Sequence, residues 1–255
     1  MLTVRDVYEF INARAPFDTQ LDFDNSGLLI GDPDWEVHGI HVALDCTEEV
    51  VAEAILKKSN LIVTHHPVIF GARKHMREDQ AEGRLLCRII RSNIAVISAH
   101  TNLDRAPGGV NDMLAAAMGL TDVVGEDFLR VGRLPCPMTA ADFTRVLEDK
   151  LHTTVRMMAP AEQMVTTVGM CSGSGSEYWA DAAKMGADAF ISGEIRHHHA
   201  LSAYQAGVAC FECGHHATEE PGIFALADAL QSWENVVQYD VCVSKSQAGA
   251  YGRML

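Results

Sequence analysis

The chain has 255 residues, 48% of them hydrophobic, enough to bury the core of one large domain or two small ones. Its 34 acidic residues outweigh 20 basic ones, and the formal net charge of −14 leaves no basic footprint for a nucleic-acid backbone. No run of about 18 apolar residues occurs, so no membrane span is expected. Residues 1–16 read as an amphipathic segment rather than a signal peptide, and the expected setting is cytoplasmic. Seven irregularly spaced cysteines fit a reducing compartment. Cys210 and Cys213 form a C-x-x-C without a partner pair at zinc spacing, at a strand end rather than a helix start, and read as small buried side chains.

In chain order, residues 4–15 read as a helix, Asp24 to Gly27 as a turn before the apolar 28–30, and 40–44 as a strand. Asp45 and Thr47 then begin a helix to Lys58, with Glu48 and Glu49 favourable in its first turn. Residues 61–63 are too few and too β-branched for a buried helix and read as a strand, ending in Thr64, His65, His66 and Pro67. Pro67 restricts His66 to extended backbone, where neighbouring side chains point to opposite faces. Two such histidines would reach two ions side by side more readily than chelate one.

A helix over 78–91 leads to a strand over 94–99, ending in His100 and Asp104, and a helix follows over 109–118. The pattern breaks into Gly, Thr and Asp over 119–127, which places a domain boundary there and divides the chain into halves 1–125 and 126–255. The second half reads as strand 128–132, helix 140–151, and strands 154–157 and 165–171. The Gly/Ser loop 172–176 is either a flexible connection or a backbone cradle for phosphate. A helix over 177–185, a strand over 188–192, a helix opened by His197, His198 and His199, and a strand over 208–211 follow. Next come a loop with His215 and Glu219, a helix to about 232, a strand over 236–243, and a small polar tail after Lys245, expected to be loose. Alternating strands and helices define an α/β fold with mainly parallel sheets.

The two halves share a layout. His100 to Asp104 and His215 to Glu219 both place a carboxylate four residues after a histidine, at the end of an apolar strand. The segment 60–64 before His65 and His66 parallels 188–192 before Gly193 and Glu194, which points to an internal duplication. Strand ends are where α/β sheets bind ligands. Imidazole and carboxylate donors without thiolate suit Zn, Fe, Mn, Co or Ni, and five of them, His65, His66, Asp104, His215 and Glu219, exceed what one catalytic ion takes from protein. They fit two divalent ions. His100 could be a ligand, a residue orienting a ligand, or a proton carrier, and the last is the catalytic role assigned to it.

The motifs THHPVIF, SAHTNLDRAPGGVND and GHHATEEPG, with DNSGLLIG and SGEIRHH, resemble those of the dinuclear-metal-centre hexameric proteins, a Nif-three-like family labelled GTP cyclohydrolase type 2 homologues. The resemblance covers nearly the whole chain. It implies two similar α/β domains with a dimetal site between them, a toroidal homohexamer, and the short form that lacks an inserted middle domain. It also implies His65, His66, Asp104, His215 and Glu219 as ligands, with Glu219 shared by both ions; His100 and His198 fall near the family's site without being assigned ligands. Two function classes follow: a metal-dependent hydrolase of a nucleotide-like or phosphate-bearing small molecule, or a non-catalytic protein that handles metal or scaffolds partners as a ring.

Overall fold

The computed structural model describes residues 1–245, and the tail after Lys245 lies outside them. Two compact units are present. The first comprises Met1–Pro107 with the described residues from Ile223 onward, and the second is Gly108–Gly222.

In the first unit, α1 (Val4–Asn12) is fixed at its start by a capping box in which Thr3 and Asp6 satisfy each other's backbone N–H. It buries Val4, Val7, Phe10 and Ile11 along one stripe, and Phe10 stacks on Trp233 at 4.5 Å. Next come β1 (Gly27–Ile30), β2 (Gly39–Ala43), α2 (Glu48–Lys57), β3 (Leu61–Thr64), α3 (Ala81–Arg91), β4 (Ala95–Ser98) and the short α4 (Thr101–Arg105). Thr47 caps α2 by accepting the Val50 N–H, and Lys58 ends it in the left-handed conformation. The sheet runs β1-β4-β3-β2-β11, where β11 is Asp240–Val243, with β1 antiparallel and the other four parallel. Every residue of β2, β3 and β4 is buried, and Val50, Val51, Ala54 and Ile89 of the covering helices pack on Ala43, Ile62 and Val96.

In the second unit, α5 (Val110–Met118), β5 (Thr121–Val124), β6 (Arg130–Thr139), α6 (Ala140–Leu151), β7 (Arg156–Met158) and β8 (Met164–Cys171) come first. Then follow α7 (Trp179–Lys184), β9 (Ala189–Ser192), α8 (His197–Gln205), β10 (Ala209–Glu212) and the start of α9 (His215–Gln231), whose residues from Ile223 onward belong to the first unit. This sheet runs β5-β6-β8-β9-β10-β7, in which the β8–β9 and β9–β10 pairings are parallel and the other three antiparallel. Phe143 and Phe211, with ring centroids 5.1 Å apart, centre a core that also holds Leu114, Leu147, Val168 and Ile191.

Three sequence expectations change. The Gly/Thr/Asp stretch over 119–127 does not mark the division: Thr121–Val124 within it form β5 on the edge of the second sheet, and the chain divides at Pro107 and Gly108, not at 125. The second half does not keep the chain's end either, because β11 pairs with β2 of the first sheet. The second sheet is not mainly parallel: its β5–β6, β6–β8 and β7–β10 pairings are antiparallel, and β6 continues through Pro135 and Pro137, which fall in a register shift between Arg133 and Met138 where no ladder donor is demanded.

The units share one topology. The order β1-β4-β3-β2 in the first sheet matches β7-β10-β9-β8 in the second, each an antiparallel outer strand beside three parallel ones. The helices correspond as well, with α1, α2 and α3 in the chain positions of α6, α7 and α8.

One buried titratable group lies inside the first sheet, on β2 between β3 and β11. His41 of β2 is fully buried with its Nε2 3.6 Å from Glu53 Oε2, and Glu53 also accepts from the Ser244 hydroxyl at 2.7 Å. Burial pushes the His41 pKa below its ordinary 6.5, with Glu53 opposing in part. The unfolded chain therefore takes up this proton first, and stability falls as pH drops below about 6.5. A His41→Phe variant is expected to show a flatter dependence in urea unfolding between pH 5 and 8; equal slopes would remove His41 as the cause.

Candidate metal-binding site

The first unit gathers four of the expected residues at the ends of β3 and β4. The His65 and His66 N–H groups extend the ladder to the Ala43 and Leu44 carbonyls, which sets both side chains just beyond the sheet. His100 caps α4, its N–H held by Ser26 Oγ at 3.1 Å and Asn102 Oδ1 at 2.9 Å, and Asp104 sits one turn later. His65, His66 and His100 can each offer a ligand atom within 4.8 Å of the others. Asp104 Oδ1 lies 3.4 Å from His65 Nε2.

The second unit holds His215 and Glu219. Both lie in the first turns of α9, not in a loop before it, so the i,i+4 spacing stacks them on one face and His215 Nε2 is 3.1 Å from Glu219 Oε1. Gly173 supplies the room. A Cβ there would intrude on Glu219 Oε1 and lie 3.2 Å from His215 Nε2, and its φ of +56° suits glycine.

A pattern that the sequence does not reveal links the four histidines. Each ring uses Nδ1 on an acceptor 2.8 Å away: the Ala99 carbonyl for His65, Asp45 for His66, Asp24 for His100 and Glu194 for His215. A carbonyl or carboxylate only accepts, so Nδ1 carries the proton and Nε2 the lone pair. Metal-binding histidines are held in this way. Burial alone would raise the Asp24 pKa, but hydrogen bonds from His100 and Thr101 outweigh it and hold the carboxyl well below its ordinary range. Hydrogen bonds from Ser174 and His215 likewise hold Glu194 low. Asp45 and Asp24 fall in a helix start and a turn, so their types already had a local explanation, and Asp24 meets its partner across 76 residues.

The donor set fits a divalent cation. In the pairs His65–Asp104 and His215–Glu219, an imidazole lone pair faces a carboxylate oxygen. Two electron-pair donors at such range repel unless a proton or a metal ion lies with them.

Other candidates resolve differently. His197 and His198 are exposed on α8, whereas His199 is partly buried with Nδ1 2.9 Å from Ser176 Oγ. In the Gly/Ser loop, the Ser172 and Gly173 N–H groups are donated to Asn111 and Thr218, and the Ser174 hydroxyl to Glu194. The loop thus serves as framework for Glu194 and His215. Burial pushes the Cys210 thiol up to about 12 and the Cys213 thiol higher, and none of the seven cysteines is in a disulfide, so the C-x-x-C carries no reactive thiolate. Among the described residues, no helix is long and apolar enough to cross a membrane.

Fold and site together define a two-sheet α/β protein with histidine and carboxylate clusters able to bind metal. Residues 2–249 match the model of the family Duf34/NIF3 (NGG1p interacting factor 3), and the chain belongs to that family. It is similar to the "GTP cyclohydrolase 1 type 2 homolog" of Clostridium acetobutylicum, with 33% identity over 90% of each chain. The crystal structure of Staphylococcus aureus protein SA1388 matches with a TM-score of 0.89 and 30% identity over 96% of each chain. A Bacillus cereus protein related to NIF3 has the same fold, with a TM-score of 0.89 at 22% identity over 96% of this chain and 97% of that one.

Proposed function

We propose that the protein is a dinuclear divalent-metal-binding hydrolase of a phosphate-bearing, nucleotide-like small molecule. The observation that carries this reading is the facing of imidazole lone pairs and carboxylates, with each imidazole locked through Nδ1. His65, His66, Asp104, His215 and Glu219 would hold the ions, with Glu219 serving both. The name of the Clostridium acetobutylicum relative supports the substrate class. Divalent ions, when bound, act as Lewis acids and make water nucleophilic near neutral pH.

The chain's own contribution is proton transfer and orientation. His100 keeps its Nδ1 proton on Asp24, so its Nε2 is the atom that takes a proton from an attacking water. Asp24, ionised across the physiological range, stabilises the imidazolium that results. The shared strand order of the two sheets supports an ancestral duplication in which His100 and His215 occupy equivalent positions. Cysteines without disulfides fit a cytoplasmic setting, and the proposed assembly is a homohexamer.

Elemental analysis, turnover on a nucleotide panel including GTP, and light scattering test the reading together. The expected results are about two ions per chain, turnover lost to a chelator and restored by one of Zn, Fe, Mn, Co or Ni, and a mass of roughly six times 27.8 kDa. One ion or none at saturation removes the dinuclear centre. Full metal without turnover leaves metal handling or a ring scaffold, and a concentration-independent monomer removes the hexamer.

A further inference from the structure

Phe23 and Phe70 have no share in the core, at 63% and 51% exposure, yet they touch each other with ring centroids 6.2 Å apart. Phe70 also meets His100, edge to face, at 6.1 Å, so this apolar pair borders the histidine cluster of the first unit. The loops that carry it are held firmly. The Asn25 side chain donates to the Ile69 carbonyl at 2.5 Å, Ser26 N–H to Gln20 Oε1 at 2.6 Å, and Leu21 N–H to Thr101 Oγ1 at 3.0 Å. Asp24, next to Phe23, holds both His100 and Thr101. A large apolar side chain kept in water on a tethered loop gains nothing for folding, and beside a polar cluster it supplies a face for a ligand.

We propose that Phe23 and Phe70 form an aromatic wall on which a planar heteroaromatic ring of the ligand stacks, with its polar or phosphate-bearing part directed to the histidine cluster. The inference rests on the reading of that cluster as the ligand site and specifies its ligand class. Phenyl rings offer no hydrogen bonds, so the wall selects flatness rather than one base. No Phe or Tyr within the core could do this, because its faces are already covered.

The test is calorimetric titration of the metal-loaded protein with GTP and with inorganic tripolyphosphate, for wild type, Phe70→Ala, Phe23→Ala and Phe70→Tyr. Wild type is expected to bind GTP about tenfold more tightly than tripolyphosphate. Each alanine variant loses most of that difference, Phe70→Tyr keeps it, and tripolyphosphate affinity and metal content stay the same in all four. Equal affinity of wild type for the two probes overturns the wall and leaves a phosphate-binding centre standing; binding of neither probe removes both readings. A fall in assembly mass in the alanine variants by light scattering would make the patch a subunit contact and overturn the wall as well.

Discussion

Glu219→Gln is expected to lower bound divalent metal from about two ions per chain to one or none, with loss of any hydrolytic turnover. The side chain is buried, its Oε1 faces His215 Nε2 at 3.1 Å, and the amide that replaces it carries no charge. Two cations brought close together need negative charge between them, so this exchange removes more than one donor atom does. His65→Ala is expected to release mainly one ion, and His100→Ala to keep both while abolishing turnover. Elemental analysis beside a hydrolysis assay reads all three variants. Two ions and full activity in Glu219→Gln would end its proposed role, and a metal lost from His100→Ala would make His100 a ligand.

The second large effect is expected at a residue with no side chain. Gly173→Ala places a methyl group against Glu219 Oε1 and 3.2 Å from His215 Nε2, at a φ of +56°. Backbone strain and displacement of a buried carboxylate together are expected to lower stability by about 1–3 kcal/mol, and the displaced Glu219 and His215 to lose affinity for metal. Gly186→Ala separates the causes, because Gly186 also has a positive φ, +93°, but open space where the methyl group would go. Urea unfolding and metal content are measured on both. If Gly173→Ala resembles Gly186→Ala in each, the crowding argument fails.

How much of this was legible in the sequence depended on the range of the interaction. The strands that lead into His65, His100 and the Cys213–Gly214 pair could be read because short apolar runs and the residues after them are local signals. The repeat of His, three residues and a carboxylate was equally local. The start of α9 at His215 was missed because Pro221 and Gly222 suggest a break, yet the helix continues through both. The strand β6 was read too short because its two prolines look like a stop until the register shift that accommodates them is seen. The four Nδ1 acceptors were out of reach for a different reason. An aspartate that orients a histidine 76 positions away has no periodicity, and Ala99 takes part only through its carbonyl, which every residue has.

The pairing of β11 with β2 also governs the order in which the protein can be made. Residues 108–222 form one unbroken segment, so the second unit has all its strands once Gly222 has left the ribosome. The first unit has four of its five strands long before that, but β2 waits for residues 240–243 to cover its side. During synthesis, β2 is therefore an apolar edge with open backbone donors and acceptors, the kind of template on which nascent chains pair with one another. The unit that is begun first is finished last.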